Sequence, residues 1–174
     1  MEIFDQSIDI NPKDDKGETP LHWAAANGHM NVREFILEHI HMDKNPKDKF
    51  RWQTPLHLAA RKGHLTTYKS ISNFVVNKNP KDRDDVTPLH LAAENGHIAV
   101  CEFILNNVVY KNPHNKTGWT PLHWAAGKGK FYAIFMTICS NFFYHICLNS
   151  YVICPKCWCQ NPNIHEKKKL VLGN

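Results

Sequence analysis

The sequence TPLHLAARKGH, which occupies residues 54–64, recurs with few changes along the chain. Related copies occupy residues 19–29, 87–97 and 120–130. The first residues of successive copies lie 35, 33 and 33 positions apart. Self-similarity at a period of this length indicates stacked structural repeats, each of which buries its apolar face against its neighbours.

Each copy carries the start and stop signals of a short helix. Thr followed by Pro suits the N-cap and the first helical position, and the Gly near the end of each copy suits a left-handed C-terminal residue. The copies therefore predict helices over residues 19–27, 54–62, 87–95 and 120–127. Apolar residues at helical spacing, such as Val100, Phe103 and Ile104, predict a second helix in each repeat, beginning near 31, 66, 99 and 131.

The Thr-Pro-Leu-His motif at a 33-residue period resembles the ankyrin repeat. The resemblance covers residues 11–138 and implies an all-α solenoid in which helix-turn-helix pairs are joined by short, β-hairpin-like fingers. We expect four repeats, over about 11–44, 45–78, 79–111 and 112–138, preceded by a partial repeat or N-terminal cap (1–10) and followed by an irregular tail (139–174).

Two features depart from the family pattern. Val75 and Val108 stand where family repeats commonly place a Gly after the second helix. A β-branched residue is costly in left-handed backbone, so we expect these helices to run on or to end by another route. The finger of the second repeat is one residue longer than that of the third, and its residues 49–53 lack the Gly that Gly17 and Gly118 supply elsewhere.

The fingers themselves begin with a recurrent turn sequence. Asn-Pro-Lys-Asp occurs at residues 11–14, 45–48 and 79–82, with the variant Asn-Pro-His-Asn at 112–115. Proline fixes φ and removes a backbone donor. The fingers are therefore expected to be turns rather than long paired strands.

Composition and motifs exclude several function classes. The chain has no Gly-rich phosphate loop, no Gly-x-Ser-x-Gly and no paired carboxylates beyond scattered surface ones, so we expect neither enzyme activity nor a cofactor. Outside residues 131–174 there are 17 basic and 15 acidic residues, which gives no electrostatic case for nucleic-acid binding. The resemblance implies a scaffold that binds another protein. Only Cys101 of the six cysteines lies in the repeats, which is not a disulfide framework, so we expect a cytoplasmic location, with a nuclear or membrane-associated one left open.

The histidines are predicted to be structural. Seven of the twelve are set by the repeat. The resemblance implies that four of them bond to the Thr of their own motif and tie neighbouring fingers together: His22, His57, His90 and His123. Trp23 and Trp124 lie within the motif and are also interpreted as structural.

The partner surface implied by the resemblance comprises the fingers and the solvent side of the first helices, which together form a concave groove. Arg51, Trp52 and Trp119 are the expected anchors, because Trp and Arg most often carry interface energy. An alternative is that the two tryptophans pack finger on finger. The candidate contact residues are Lys16, Glu18, Phe50, Arg51, Trp52, Arg61, Lys62, Arg83, Asp85, Glu94, Trp119 and Lys128.

The C-terminal part of the chain leaves alternatives open. Residues 131–153 contain no Asp, Glu, Lys or Arg. This segment is interpreted as a last repeat helix with its tail, as a membrane anchor that holds a cytosolic ankyrin domain, or as the product of an imperfect gene model. We expect a monomer if this apolar segment is covered. The one ligand-like cluster, a weak zinc candidate, comprises Cys154, Cys157, Cys159 and His165.

Overall fold

The computed structural model of the chain describes residues 12–29, 31 and 45–130. These residues form six α-helices and no β-strand. The second helices expected in the first and fourth repeats, like residues 1–10 and the C-terminal tail, lie outside the described residues apart from Asn31. The helices are α1 (Pro20–Asn27), α2 (Pro55–Lys62), α3 (Leu65–Asn73), α4 (Pro88–Asn95), α5 (Ile98–Asn107) and α6 (Pro121–Gly127).

The first helix of every repeat begins as the motif predicts, and three of the four end as it predicts. Each starts at its Pro, after a Thr N-cap with extended backbone, and the His at the third helical position closes a capping box with that Thr. Helices α1, α2 and α4 are followed by the C-cap residues Gly28, Gly63 and Gly96, with φ of 71°, 76° and 75°. Left-handed backbone there favours glycine, because other residues bring Cβ against a carbonyl oxygen.

The second helices end without a left-handed residue, as expected from the missing Gly. Helix α3 ends at Asn73 and is followed by Phe74 with φ −103°, and α5 ends at Asn107 before Val108, whose backbone is extended (φ −122°, ψ 145°). Both helices begin one residue earlier than predicted, at Leu65 and Ile98.

The helices stack in sequence order. The first helices pack successively, α1 on α2, α2 on α4 and α4 on α6, while α3 and α5 pack on their own first helices and on each other. Small alanines allow this close approach, and large apolar side chains from both helix types fill the space between. Val100 and Ile104 are buried as predicted, and Phe103 is partly buried against the core. The architecture is an all-α ankyrin-type solenoid.

Each finger is a turn organised by one side chain. The fourth residue of the Asn-Pro-Lys-Asp sequence accepts hydrogen bonds from backbone N–H groups two to five residues further on. Asp14, Asp82 and Asn115 each hold two such bonds, whereas Asp48 in the longer second finger holds four. The prediction of turns rather than long strands is confirmed for the described residues.

Candidate partner-binding surface

A chain of buried histidines links the repeats below the fingers. The backbone N–H of Thr54 donates to Nδ1 of His57 at 3.1 Å, and Nε2 of His57 lies 3.1 Å from the carbonyl oxygen of Val86 in the next finger. His22 and His90 make the same pair of bonds, to the carbonyls of Gln53 and Trp119. Because an N–H only donates and a carbonyl only accepts, each ring is neutral with its proton on Nε2.

Burial keeps these rings neutral. It lowers the pKa of His57 and that of His90 to about 4, and the bonds to the Val86 and Trp119 carbonyls offset it only in part. The pKa of His22 is lowered for the same reason. These three histidines position the fingers, as the resemblance implies.

A second set of histidines, also set by the repeat, bonds back to the preceding repeat. Nε2 of His64 lies 3.2 Å from the carbonyl oxygen of Ala26, and Nε2 of His97 lies 3.0 Å from that of Arg61, each in the preceding repeat. The two rings lie over Gly28 and Gly63, where an added Cβ would approach them within 3.0 Å. The Gly-His pair that recurs at the repeat period marks these positions in the sequence.

The finger of the second repeat contains an unusual backbone conformation. Trp52 has φ 59°, in the position that Gly17 and Gly118 occupy in the first and fourth fingers with φ of 77° and 80°. Asp85 takes this position in the third finger, with φ 60°. A bulky residue in left-handed backbone is strained and persists only where its surroundings determine it. Here the four backbone bonds to Asp48 supply that constraint.

Two cations lie over the Trp52 ring. The guanidinium carbon of Arg83 is 5.2 Å from the ring centroid and Nζ of Lys47 is 5.1 Å from it, distances at which a cation is attracted to the ring face. The side chain remains 46% exposed, beside Phe50, which is 63% exposed. Lys47 was not among the predicted contact residues, because its approach to Trp52 depends on how the Asp48 turn folds back.

Three arginines gather next to this tryptophan. The backbone N–H of Arg83 donates to the carbonyl of Arg51 at 2.8 Å, which places the two residues side by side on adjacent fingers. Nη2 of Arg61 donates to Oε1 of Gln53 at 2.8 Å, and Nε2 of Gln53 lies 3.3 Å from Oδ2 of Asp82. Burial, and after it the charge of Arg51, lowers the pKa of Arg61, so Arg51 and Arg61 are close enough to repel.

The other predicted contact residues are spread along the array. Lys16, Lys62 and Lys128 are exposed, and Glu18, Asp85 and Glu94 are half-buried. Glu94 pairs with Lys128 at 3.5 Å, and Asp85 pairs with Lys81 at 3.3 Å. Trp119 is 51% exposed, and its ring centroid lies 6.1 Å from that of His123.

Trp124 packs within the array, whereas Trp23 is more exposed. Trp124 lies edge-on to His90 of the preceding repeat at 5.6 Å, and it is half-buried. Trp23 holds the equivalent position in the first repeat, which no repeat precedes among the described residues. Its side chain is 54% exposed and lines a cavity of about 490 Å³. The same motif position is thus half-buried in the fourth repeat and exposed in the first.

The described residues also bear on two other site types. Among them, no group of three or more His, Cys, Asp or Glu side chains is placed to hold a metal ion, and the Cys154–His165 candidate lies outside them. No helix within the described ranges is long and apolar enough to cross a membrane. The proposed anchor, residues 131–153, lies outside those ranges.

Two curated proteins share short stretches with this chain. An acyl-CoA-binding domain-containing protein 1 from Arabidopsis thaliana is 40% identical over 38 residues, which is 22% of this chain and 11% of that protein. A 26S proteasome non-ATPase regulatory subunit 10 from Dictyostelium discoideum is 34% identical over 50 residues, 29% of this chain and 22% of that protein. The chain thus spans between a tenth and a quarter of the length of these relatives.

A family model covers much more of the chain. The model described as ankyrin repeats, three copies, matches residues 2–82 and 56–145. This range contains all four Thr-Pro-Leu-His motifs and every helix described above. The chain therefore belongs to the ankyrin-repeat family.

Proposed function

We propose that this protein is a non-catalytic scaffold whose partner protein docks on the finger side of the array, with the second finger as the principal contact. Membership of the ankyrin-repeat family indicates a protein–protein interaction module, and the family is typically non-catalytic. The proposal is finer than the family assignment, because it names a surface and an anchor residue.

One observation carries the proposal: the strained, half-exposed Trp52 of the second finger. Left-handed backbone at a tryptophan costs about 1–2 kcal/mol, and such strain concentrates at ligand clamps. The neighbouring fingers hold Gly or Asp at this position, so the finger itself does not require the tryptophan. A rigid aromatic side chain flanked by arginines, already ordered before binding, is what a partner-binding hot spot needs.

The competing interpretation is that Trp52 only packs one finger on the next. Arg83 lies over the ring, and Nη2 of Arg83 also donates to the carbonyl of Lys49 at 3.3 Å, so some finger-to-finger contact is present. These contacts are exposed, and a cation–π pair at an exposed site contributes only about 0.5–1 kcal/mol. Stability and affinity should therefore respond differently to removal of the ring.

The test compares two tryptophans of similar exposure. The full chain is used to isolate a partner, and its dissociation constant is then measured by calorimetry for the wild type, Trp52→Ala and Trp23→Ala. We expect Trp52→Ala to weaken binding by about 2 kcal/mol or more, the usual hot-spot threshold, with a small change in thermal stability. Trp23→Ala, a change in the first repeat that leaves the second finger intact, should have the smaller effect on affinity.

The opposite pattern decides against the proposal. If Trp52→Ala lowers thermal stability while leaving affinity intact, Trp52 is finger packing. The binding surface then lies elsewhere on the array.

A further inference from the structure

We infer that the second finger and the helix after it bind an acidic, carboxylate-rich segment of the partner protein. This inference rests on the proposed function and names the chemistry that the same surface recognises. It draws on three observations: the charge balance of the second repeat, the engagement of the nearby carboxylates, and the arrangement of Arg51 and Arg83 around Trp52.

The second repeat is the most cationic part of the described surface. Residues 45–62 carry five cations, Lys47, Lys49, Arg51, Arg61 and Lys62, against a single carboxylate, that of Asp48. Both oxygens of Asp48 are occupied by backbone N–H groups of its own finger. That carboxylate offsets charge locally, but its oxygens are turned toward the backbone rather than toward the lysines and arginines.

The carboxylates of the third repeat are engaged elsewhere. Asp85 pairs with Lys81 and Glu94 with Lys128, while buried Asp82 bonds to its own finger's backbone and to Gln53. Over residues 12–29, 31 and 45–130, none of the exposed cations of the second repeat forms an ion pair with a carboxylate, nor does Arg83. Exposed Asp84 forms none with Arg83 either. The surface thus keeps a surplus of unneutralised positive charge.

The backbone brings Arg51 and Arg83 side by side on adjacent fingers. The bond from the Arg83 N–H to the Arg51 carbonyl fixes the two arginines on adjacent fingers, and the Trp52 ring supports the Arg83 guanidinium. Guanidinium groups match carboxylates in plane and spacing, and they are weakly hydrated, so they suit such recognition better than lysines. The exposed Phe50 beside them offers apolar contact to the aliphatic part of a glutamate.

The test uses two short fluorescein-labelled peptides that differ only in charge. In one, glutamate alternates with serine, and in the other glutamine does; fluorescence anisotropy with the full chain reports binding. We expect the glutamate peptide to bind and to weaken steeply as salt rises from about 50 to 300 mM, because exposed charges are screened over that range. The glutamine peptide should bind at least about tenfold more weakly.

A pair of double variants separates the arginine site from net charge. Arg51→Gln with Arg83→Gln should weaken the glutamate peptide about tenfold, whereas Lys13→Gln with Lys116→Gln, which removes the same charge from the first and fourth fingers, should change it less than about twofold. Circular dichroism checks that both variants remain folded. Equal losses in the two variants mean a general electrostatic attraction, and the inference is then wrong.

The remaining outcomes are also decisive. Binding of a phosphoserine peptide without binding of the glutamate peptide assigns the site to phosphorylated partners and overturns the carboxylate assignment. If Trp52→Ala abolishes partner binding but the two peptides bind equally, the proposed function stands and the acidic inference fails. If Trp52→Ala leaves partner binding intact, the proposed function itself fails, whatever the peptides do.

Discussion

The buried histidine chain and the exposed second finger are built on opposite rules. Among the buried histidines, the same pair of hydrogen bonds recurs three times, at His22, His57 and His90, with distances between 3.0 and 3.2 Å. In the second finger, the length, the residue in left-handed backbone and the local charge all differ from the neighbouring fingers. One region repeats because the stacking of every repeat depends on it.

The difference teaches where this array can vary. A buried donor or acceptor left without its partner costs about 1–3 kcal/mol, so the Thr-His bonds leave little freedom at their positions. The conformation of a finger is fixed mainly by its own Asp or Asn. An extra residue in a finger can extend into solvent without changing the position of the next repeat. The third Thr-Pro-Leu-His copy accordingly follows the second at the regular 33-residue step.

The largest effect that separates the two regions is acid unfolding. The folded-state pKa values of His57 and His90, about 4, lie below the ordinary value of 6.5. Their contribution is therefore complete above pH 6.5 and is lost as pH falls toward 4, by about 1.4 kcal/mol per pH unit for each histidine. Urea unfolding followed by circular dichroism at pH 7, 5.5 and 4.5 measures the decline.

His57→Ala is the control for that titration. At pH 7 it should lower the free energy of unfolding by about 1–3 kcal/mol, because the Thr54 N–H and the Val86 carbonyl lose their partner. Its stability should then fall less steeply with acid than that of the wild type. Parallel slopes for the two proteins would show that other groups, and not the buried imidazoles, drive acid unfolding.

A glycine comparison gives the next largest effect. Gly63 and Gly118 have similar φ, 76° and 80°, but an alanine Cβ at 63 would lie 2.5 Å from Nδ1 of His97, whereas none of the atoms around residue 118 lies within 4 Å of such a Cβ. Gly118→Ala should cost about 1 kcal/mol from backbone strain alone, and Gly63→Ala about 2–3 kcal/mol because the His97 bond to Arg61 is also disturbed. Equal costs in chemical denaturation would contradict the role assigned to His97.

The smallest effect tests the strain in the second finger directly. Trp52→Ala keeps a Cβ in left-handed backbone, whereas Trp52→Gly removes it. The Gly variant should therefore be more stable than the Ala variant by about 1 kcal/mol, although glycine is the more flexible residue in the unfolded chain. Differential scanning calorimetry of the two variants makes the comparison. If Ala proves the more stable, the backbone at residue 52 is not strained.

Much of the fold was predictable because its signals are local. The starts of the first helices follow from the Thr-Pro pair, and the ends of α1, α2 and α4 follow from the Gly that comes after them. The absence of Gly at Val75 and Val108 correctly predicted that these helices end without left-handed backbone. The onset of the second helices was off by one residue, since no strong cap marks it.

The candidate surface was predictable only in outline. The length of the second finger and its lack of Gly pointed to residues 49–53, but the approach of Lys47 and Arg83 to the Trp52 ring could not be read from spacing. The exposure of Trp23 was also not predictable from the sequence. The motif position alone suggested a packed residue, whereas its exposure depends on what lies against that face.

The sequence by itself determined the repeat period, the capped first helices, the apolar faces and the family. Each of these depends on residues that are close to one another in the sequence. Tertiary structure alone decided which carbonyl each buried histidine reaches, 29 to 31 residues away, and which cations flank Trp52. Such contacts depend on the rotation and rise between stacked repeats. That geometry is a sum over all the packed side chains and is not carried by any one motif.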